Sequence, residues 1–234
     1  DIPPDAICVP GHCRVRSQDH VMAVEGGELQ GRNEGQGGLL HLRQAGQDVV
    51  VIGAGVTGLY SLYCLRQLGF TVRVLDEASG VGGTWYWNRY PGCRFDSESY
   101  SYGFSFSEEL LQEWDWKEHF SGQPENERYL NYVADKFDLK RDIQFNTRVS
   151  KAVYDEPKNR WQIKTLDGRR YEAQFFITAV GLLSAGYIPD FKGIHSFKGK
   201  WTHTGRGPKE GMDLAGKRVG VIGTGATGVQ LITE

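Results

Sequence analysis

From Gln47 onward the apolar residues fall into short runs whose spacing switches between strand-like and helix-like. Asp48-Val49-Val50-Val51-Ile52 is a near-continuous apolar run closed by glycine, the mark of a strand buried on both faces. Leu59 to Leu68 returns apolar residues at helical intervals, and Gly69 supplies a stop. Thr71 to Leu75 reads as a second, parallel strand. Ser107 to Trp116 predicts a helix, with Ser107 as N-cap and Glu108 and Glu109 in the favourable first turn. Pro124 to Leu139 predicts another, with Leu130, Val133, Ala134 and Phe137 on one face. Three strands follow, Val149 to Tyr154, Arg160 to Leu166 and Arg170 to Thr178, joined by Pro157-Lys158-Asn159 and the hairpin signal Asp167-Gly168. They predict a small antiparallel meander crossing over a parallel sheet. A last buried strand is expected at Arg218 to Ile222.

Residues 1–46 lack this patterning, are rich in glycine, and read as a disordered or non-native tail. The rest is an α/β chain: a compact unit over 47–183, then a Gly-, Pro- and Lys-rich connection and the start of a second unit over 184–234. The net charge of −2 and pI near 6.3 give no electrostatic footprint for nucleic acid, and the basic residues form no stripe. No apolar run reaches the ~18 residues of a membrane span, and no secretory signal is visible, so a soluble, cytoplasmic protein is expected. The four cysteines form no CxxC pair. Cys8, His12, Cys13 and His20 fit no common zinc spacing, so no metal is expected and free thiols are the preferred reading.

Two glycine loops carry the chemistry. Gly53-Ala54-Gly55-Val56-Thr57-Gly58 follows the first strand, and Gly223-Thr224-Gly225-Ala226-Thr227-Gly228 follows the last. The strand-loop-helix setting turns a weak glycine spacing into a credible dinucleotide cradle. The first glycine makes the turn, the second lets backbone approach pyrophosphate, and the third lets helix pack on strand. Phosphate then meets a helix N-terminus, where free N–H groups favour negative charge. Gly53, Gly55, Thr57 and Gly58 are therefore candidate cofactor residues, as are Gly223, Thr224, Gly225, Thr227 and Gly228. Asp76 ends the second strand about 20 residues past the first loop, where an acid binds ribose hydroxyls. Its charge repels a 2′-phosphate, which suits FAD or NAD at this loop rather than NADP.

Between the first loop and the predicted helices lies Gly80-Val81-Gly82-Gly83-Thr84-Trp85-Tyr86-Trp87-Asn88-Arg89-Tyr90-Pro91-Gly92-Cys93-Arg94-Phe95-Asp96. It offers glycines that let backbone reach a flat ring, aromatics able to stack on it, and a carboxylate. The run Gly83-x-Trp85, then Tyr90-Pro91-Gly92, then Asp96 resembles a fingerprint of type I Baeyer-Villiger monooxygenases. Phe197-x-Gly199, then His203-Thr204 and Pro208, resembles their second fingerprint, which likewise sits just before the second glycine loop. Ile177-Thr178-Ala179-Val180-Gly181 is similar to the strand-end motif of flavoprotein monooxygenases. The resemblance covers about residues 47–234, the N-terminal portion of such an enzyme.

That resemblance implies a Rossmann-like FAD-binding domain followed by an incomplete NADP-binding one. It implies FAD and NADPH as cofactors, with a small ketone and O2 as reactants and an ester or lactone as product. By the same carry-over, Thr84, Trp85 and Tyr102 contact flavin, and Val149 supplies an adenine-side backbone contact. Arg94 and Asp96 lie where nicotinamide approaches, and Gly223 to Gly228 hold its pyrophosphate. Asp96 is the catalytic candidate: it supports an arginine, beyond Glu234, that stabilises the oxygenated flavin. Tyr90, Pro91, Gly92, Phe197, Gly199 and His203 are motif or linker residues, His203 coupling domain motion to catalysis. One departure stands out: the second fingerprint usually carries Trp four residues after its His, and Gly207 stands there. Residues 1–234 alone are expected to retain FAD weakly and to be inactive. An N- or S-oxygenating flavin monooxygenase and a non-catalytic FAD-binding module remain the alternatives, whereas a disulfide reductase lacks its CxxC.

Overall fold

A computed structural model of the chain describes residues 46–234. The expectation for residues 1–45, including Cys8, His12, Cys13 and His20, lies outside the described residues. Six strands form one sheet in the order β3-β2-β1-β6-β5-β4. They are β1 (Gln47–Ile52), β2 (Val72–Leu75), β3 (Ile143–Gln144), β4 (Val149–Asp155), β5 (Arg160–Thr165) and β6 (Arg170–Thr178). Strands β3, β2, β1 and β6 run parallel, while β4, β5 and β6 pair antiparallel.

Strand β6 belongs to both parts. Its C-terminal half pairs with β1, from Val49↔Phe175 to Ile52↔Thr178, and its N-terminal half with β5, from Trp161↔Ala173 to Lys164↔Arg170. The meander is thus hydrogen-bonded into the parallel sheet and curls back over one face of it. Ile163 and Ala173 there bury Val50 and Leu75, with Trp161 and Phe176 packed alongside. Side chains alternate along a strand, so Val49 and Val51 point the other way, into the main core with Leu59, Leu62, Leu130, Val133 and Ala134. Each fully buried aliphatic of this kind contributes about 1.5–3 kcal/mol through the hydrophobic effect.

Six α-helices lie among the described residues: α1 (Val56–Gln67), α2 (Thr84–Trp87), α3 (Ser99–Tyr102), α4 (Glu108–Glu113), α5 (Gln123–Lys136) and α6 (Ala226–Ile232). Helix α1 begins inside the glycine loop, three residues earlier than apolar spacing predicts, because glycine and threonine hide the periodicity. It stops as Gly69 does require: Gly69 N–H bonds Arg66 C=O and Phe70 N–H bonds Leu65 C=O, with Gly69 at φ 82°. Helix α5 stops the same way, with Asp138 at φ 49° in the glycine's place. Helix α4 ends at Glu113 rather than Trp116. Trp114 turns extended, and both tryptophans pack on Tyr129, at centroid distances of 5.2 and 4.8 Å.

The last expected strand does not form. Residues Arg218 to Ile222 have no ladder partner among the described residues, and Ile222 is 79% exposed. A strand needs a neighbour for its N–H and C=O groups, and none of the six strands lies beside this one. No described helix is long and apolar enough to cross a membrane.

Candidate functional site

The first loop is built by close backbone approach. Gly53 sits at φ 104° against the Ala179 carbonyl, and a Cβ on Gly58 would overlap the Gly53 carbonyl oxygen. Helix α1 therefore starts hard against the turn, with Gly55 at its N-cap and no side chain capping its first N–H groups. A second glycine stretch faces it. Gly82 N–H bonds Ala54 C=O at 3.1 Å, and a Cβ on Gly83, at φ 53°, would lie 2.8 Å from the Gly55 Cα. Two backbones bare of side chains thus meet at a helix N-terminus, a shape and polarity that fit a pyrophosphate.

Asp76, at the end of β2, ties this cradle together. Its carboxylate accepts from Ala54 N–H at 2.5 Å and from Ala78 N–H at 2.7 Å. Burial raises its pKa, and the two backbone bonds pull the other way. Each carboxylate oxygen has a second lone pair free for a hydroxyl donor. Val149 begins β4 close by, because Thr147 N–H bonds Asp76 C=O at 2.7 Å and Asn146 N–H bonds Ala78 C=O at 2.9 Å.

Beyond Gly83, Thr84 opens α2 and is exposed, whereas Trp85 is buried. The Trp85 indole N–H donates to the Tyr102 hydroxyl at 3.0 Å, and its ring meets Phe95 edge-on at 4.9 Å. Burial raises the Tyr102 pKa. Trp85 and Tyr102 are thus a coupled pair packed on Phe95, and the Trp85 backbone N–H ties back to Gly82 C=O at 3.0 Å.

The chain then turns through Tyr90-Pro91-Gly92 and runs extended to Asp96. Arg94 pairs with Glu118 at 3.2 Å and Glu234 at 3.6 Å. Asp96 is exposed. Burial foremost, with the Asp96 charge adding to it, pushes the Tyr90 phenol up to about 12.

The second loop repeats the first. Gly223 sits at φ 122°, Gly225 is the N-cap of α6, and a Cβ on Gly228 would lie 2.6 Å from the Gly223 carbonyl oxygen. Thr224 is exposed, and Thr227 lies beside the Tyr90 phenol, whose pKa it pulls down against burial. In the connection, Phe197 is exposed and folds over Gly199, where a Cβ would lie 2.6 Å from its ring. His203 caps a short turn, its Nδ1 accepting from Gly205 N–H at 3.2 Å. Gly207 has open space around it, a Cβ there meeting nothing nearer than 3.9 Å. Two residues on, Lys209 reaches back to α2: its Nζ bonds the Tyr86 hydroxyl and lies 3.7 Å from that ring's centroid.

The family model for flavin-binding monooxygenase-like proteins matches residues 46–234. The chain belongs to that family. It is 58% identical over 185 residues to the acetone monooxygenase (methyl acetate-forming) of Gordonia sp. (strain TY-5), covering 79% of this chain and 35% of the relative. It is 48% identical over 186 residues to the phenazine N-monooxygenase PhzNO1 of Lysobacter antibioticus, covering 79% and 34%. Among solved structures, oxidized steroid monooxygenase bound to NADP matches with a TM-score of 0.76 and 53% identity, over 80% of this chain and 36% of that one. The chain spans about a third of the length of the relatives it matches.

Within this flavin-binding monooxygenase fold, the structure brings Gly53, Gly55, Gly58, Asp76 and Gly83 into one cradle, and Tyr90, Gly92 and Arg94 against Gln230 on α6, the helix that follows the second loop. It leaves Phe197 out on the connection. Pro91 is exposed at the turn's outer corner. No group of side chains suited to a metal occurs among the described residues. A cavity of about 450 Å³ between α3, α4 and α5 is lined by Trp114, Trp116 and Tyr129 and includes none of the expected site residues. Sequence reasoning missed Gln123, whose amide donates to Trp85 C=O at 2.5 Å, and it missed Lys209 and Gln230. A lone amide or lysine in a polar stretch carries no local signal; only the fold brings each to its partner.

Proposed function

We propose that this chain seats FAD on its first loop and NADPH on its second, for a monooxygenase that inserts one oxygen of O2 beside a ketone carbonyl. The product is an ester or a lactone. The division into an FAD unit over 47–183 and a linker with NADP-binding elements over 184–234 is part of the reading. So is a cytoplasmic setting, which keeps the thiols of Cys64 and Cys93 reduced. The observation that supports the proposal is two glycine loops of like geometry, the second followed by a helix whose Gln230 bonds Tyr90 on the turn that leads to Asp96.

FAD, reduced by NADPH, supplies the oxygen-activating chemistry when bound. The chain's own residues hold and orient. The α1 N-terminus presents uncapped N–H groups to a pyrophosphate, and Gly53, Gly55 and Gly83 leave it room. Asp76 accepts a ribose hydroxyl while fixing the loop through Ala54. The exposed Thr84 follows Gly83 directly, Val149 lies near Asp76, and all three of Thr84, Trp85 and Tyr102 are assigned to the flavin in this reading. Gly223, Thr224, Gly225, Thr227 and Gly228 make the second anion site. The exposed Asp96 carboxylate offers an anchor for an arginine, and Arg94 lies on the same turn. The choice of NADPH over NADH rests on the family resemblance.

The test is visible absorption of the purified protein, with flavin released by denaturation, followed by ketone assays under ¹⁸O2 on a chain extended past Glu234. About one FAD per chain, NADPH-dependent bleaching and one ¹⁸O in the ester are expected. Absence of FAD from the extended chain even after reconstitution would sink the reading. The phenazine N-monooxygenase among its relatives keeps one other reading in view, N-oxygenation, which predicts labelled N-oxide and no ester.

A further inference from the structure

The second glycine loop is clasped to the fingerprint turn by one side chain that no motif singles out. The segment Cys93-Arg94-Phe95 runs extended, and one of its edges is paired: Gln123 N–H bonds Cys93 C=O at 2.8 Å, and Phe95 N–H bonds Ser121 C=O at 3.1 Å. In an extended chain alternate residues turn their backbone groups to opposite edges, so Arg94 presents its N–H and C=O on the other side. Among the described residues no strand lies there. Gln230, on α6, takes both: its Oε1 accepts from Arg94 N–H at 3.3 Å and its Nε2 donates to Arg94 C=O at 3.1 Å. A primary amide reproduces the donor and acceptor of a peptide, and Gln230 serves as a one-residue strand.

The same Oε1 accepts from the Tyr90 hydroxyl at 2.8 Å, and Thr227, three residues earlier on the same helix face, lies beside that phenol and works against the upward push of burial. Gly92 admits the helix: it sits at φ 73°, and a Cβ there would lie 2.5 Å from the Gln230 carbonyl oxygen. Thr227 belongs to the second glycine loop, and Arg94 is two residues from Asp96. We infer that Gln230 is a positioning residue, holding the second nucleotide loop in fixed register with the turn that carries Arg94 and Asp96. Nucleotide on the loop then steadies the turn through Thr227, Tyr90 and Gln230. The nucleotide part of this inference rests on the function proposed above; the clasp itself does not.

The experiment is hydrogen exchange on the FAD-loaded extended protein, wild type against Gln230→Leu, with and without NADPH. Without nucleotide, exchange of segment 90–96 should quicken about tenfold in the variant, the scale of a lost hydrogen bond, while residues 49–67 stay unchanged. Unchanged exchange in 90–96 would overturn the clasp. With NADPH, protection of 90–96 should rise in wild type and fail to rise in the variant, whose NADPH KM should increase more than its kcat falls. If wild type binds no NADPH, the cofactor assignment fails while the nucleotide-free exchange still decides the clasp.

Gln230→Glu covers the case in which the leucine variant does not fold. Its carboxylate cannot donate to Arg94 C=O, but its protonated acid can. Protection of 90–96 relative to wild type should therefore be low at neutral pH and return as pH falls through the glutamate range. Tyr90, Cys93, Arg94, Asp96, Glu118 and Glu234 surround the clasp in both proteins, so the difference reports residue 230. A variant that tracks wild type at every pH would overturn the assignment.

Discussion

Gly58 and Gly69 bracket α1, and both resist substitution, for different reasons. At Gly58 the obstacle is space, since a Cβ would overlap the Gly53 carbonyl. At Gly69 there is nothing within 4 Å, and the obstacle is its φ of 82° alone. Gly58→Ala should cost about 1–3 kcal/mol, the range for overpacking, and abolish flavin retention, because α1 must back away from the turn that it shares with the cradle. Gly69→Ala should cost about 1–2 kcal/mol for the left-handed backbone and leave flavin content intact. Denaturant midpoints and bound-FAD absorbance on the two variants check the contrast. The two roles were legible to different degrees: spacing marks Gly53, Gly55 and Gly58 as a loop, but the partner of Gly55 is Gly83, whose approach depends on the return of the chain after β2.

Helix α4 shows what a local signal can and cannot say. Ser107 is the N-cap that its sequence announces, its hydroxyl accepting from Leu110 N–H at 3.2 Å. Ser107→Ala should lower stability by about 1 kcal/mol, read as a shift in urea midpoint with no change in flavin content, since α4 touches no glycine loop. The end of the helix was not legible, because Trp114 and Trp116 leave the helical path for Tyr129 on α5, which is a tertiary contact. Strand ends followed the sequence more closely. Asp167-Gly168 closes the β5–β6 hairpin with Gly168 at φ 88°, and Asn159 takes the left-handed position at the β4–β5 turn with φ 51°. A turn is decided by its own few residues, whereas the expected strand at Arg218 to Ile222 depends on neighbours and did not form.

Across the whole molecule, hydrogen bonding and burial are uneven. The sheet and its helices bury Val50, Val51, Leu62 and Leu130 fully, while Leu182, Leu183, Tyr187 and Ile222 on the later stretch are each more than two-thirds exposed. Limited proteolysis should therefore cut first within residues 182–216 and leave a resistant core near residues 46–181, as mass spectrometry of the products would show. Cutting first inside α1 or β6 would contradict that order. The fold class was legible because apolar runs, glycines and turn residues agree on one answer over 47–181. What held the later stretch to the core was not, since Lys209 on Tyr86 and Gln230 on Arg94 are single polar side chains acting across more than 120 positions of sequence.

Strand β6 works as a ruler between two parts of the protein. One end of it is counted off against β5 by side-chain pairs such as Trp161↔Ala173, and the other end sets where the Ala179 carbonyl meets Gly53. An inserted or deleted residue along β6 would slide every later position by one and turn each side chain to the opposite face. The error would surface at the glycine turn, far from where it was made. Changes of length in this region are thus tolerable only outside β6, at the hairpin around Asp167 or past Gly181, where the chain has left the sheet.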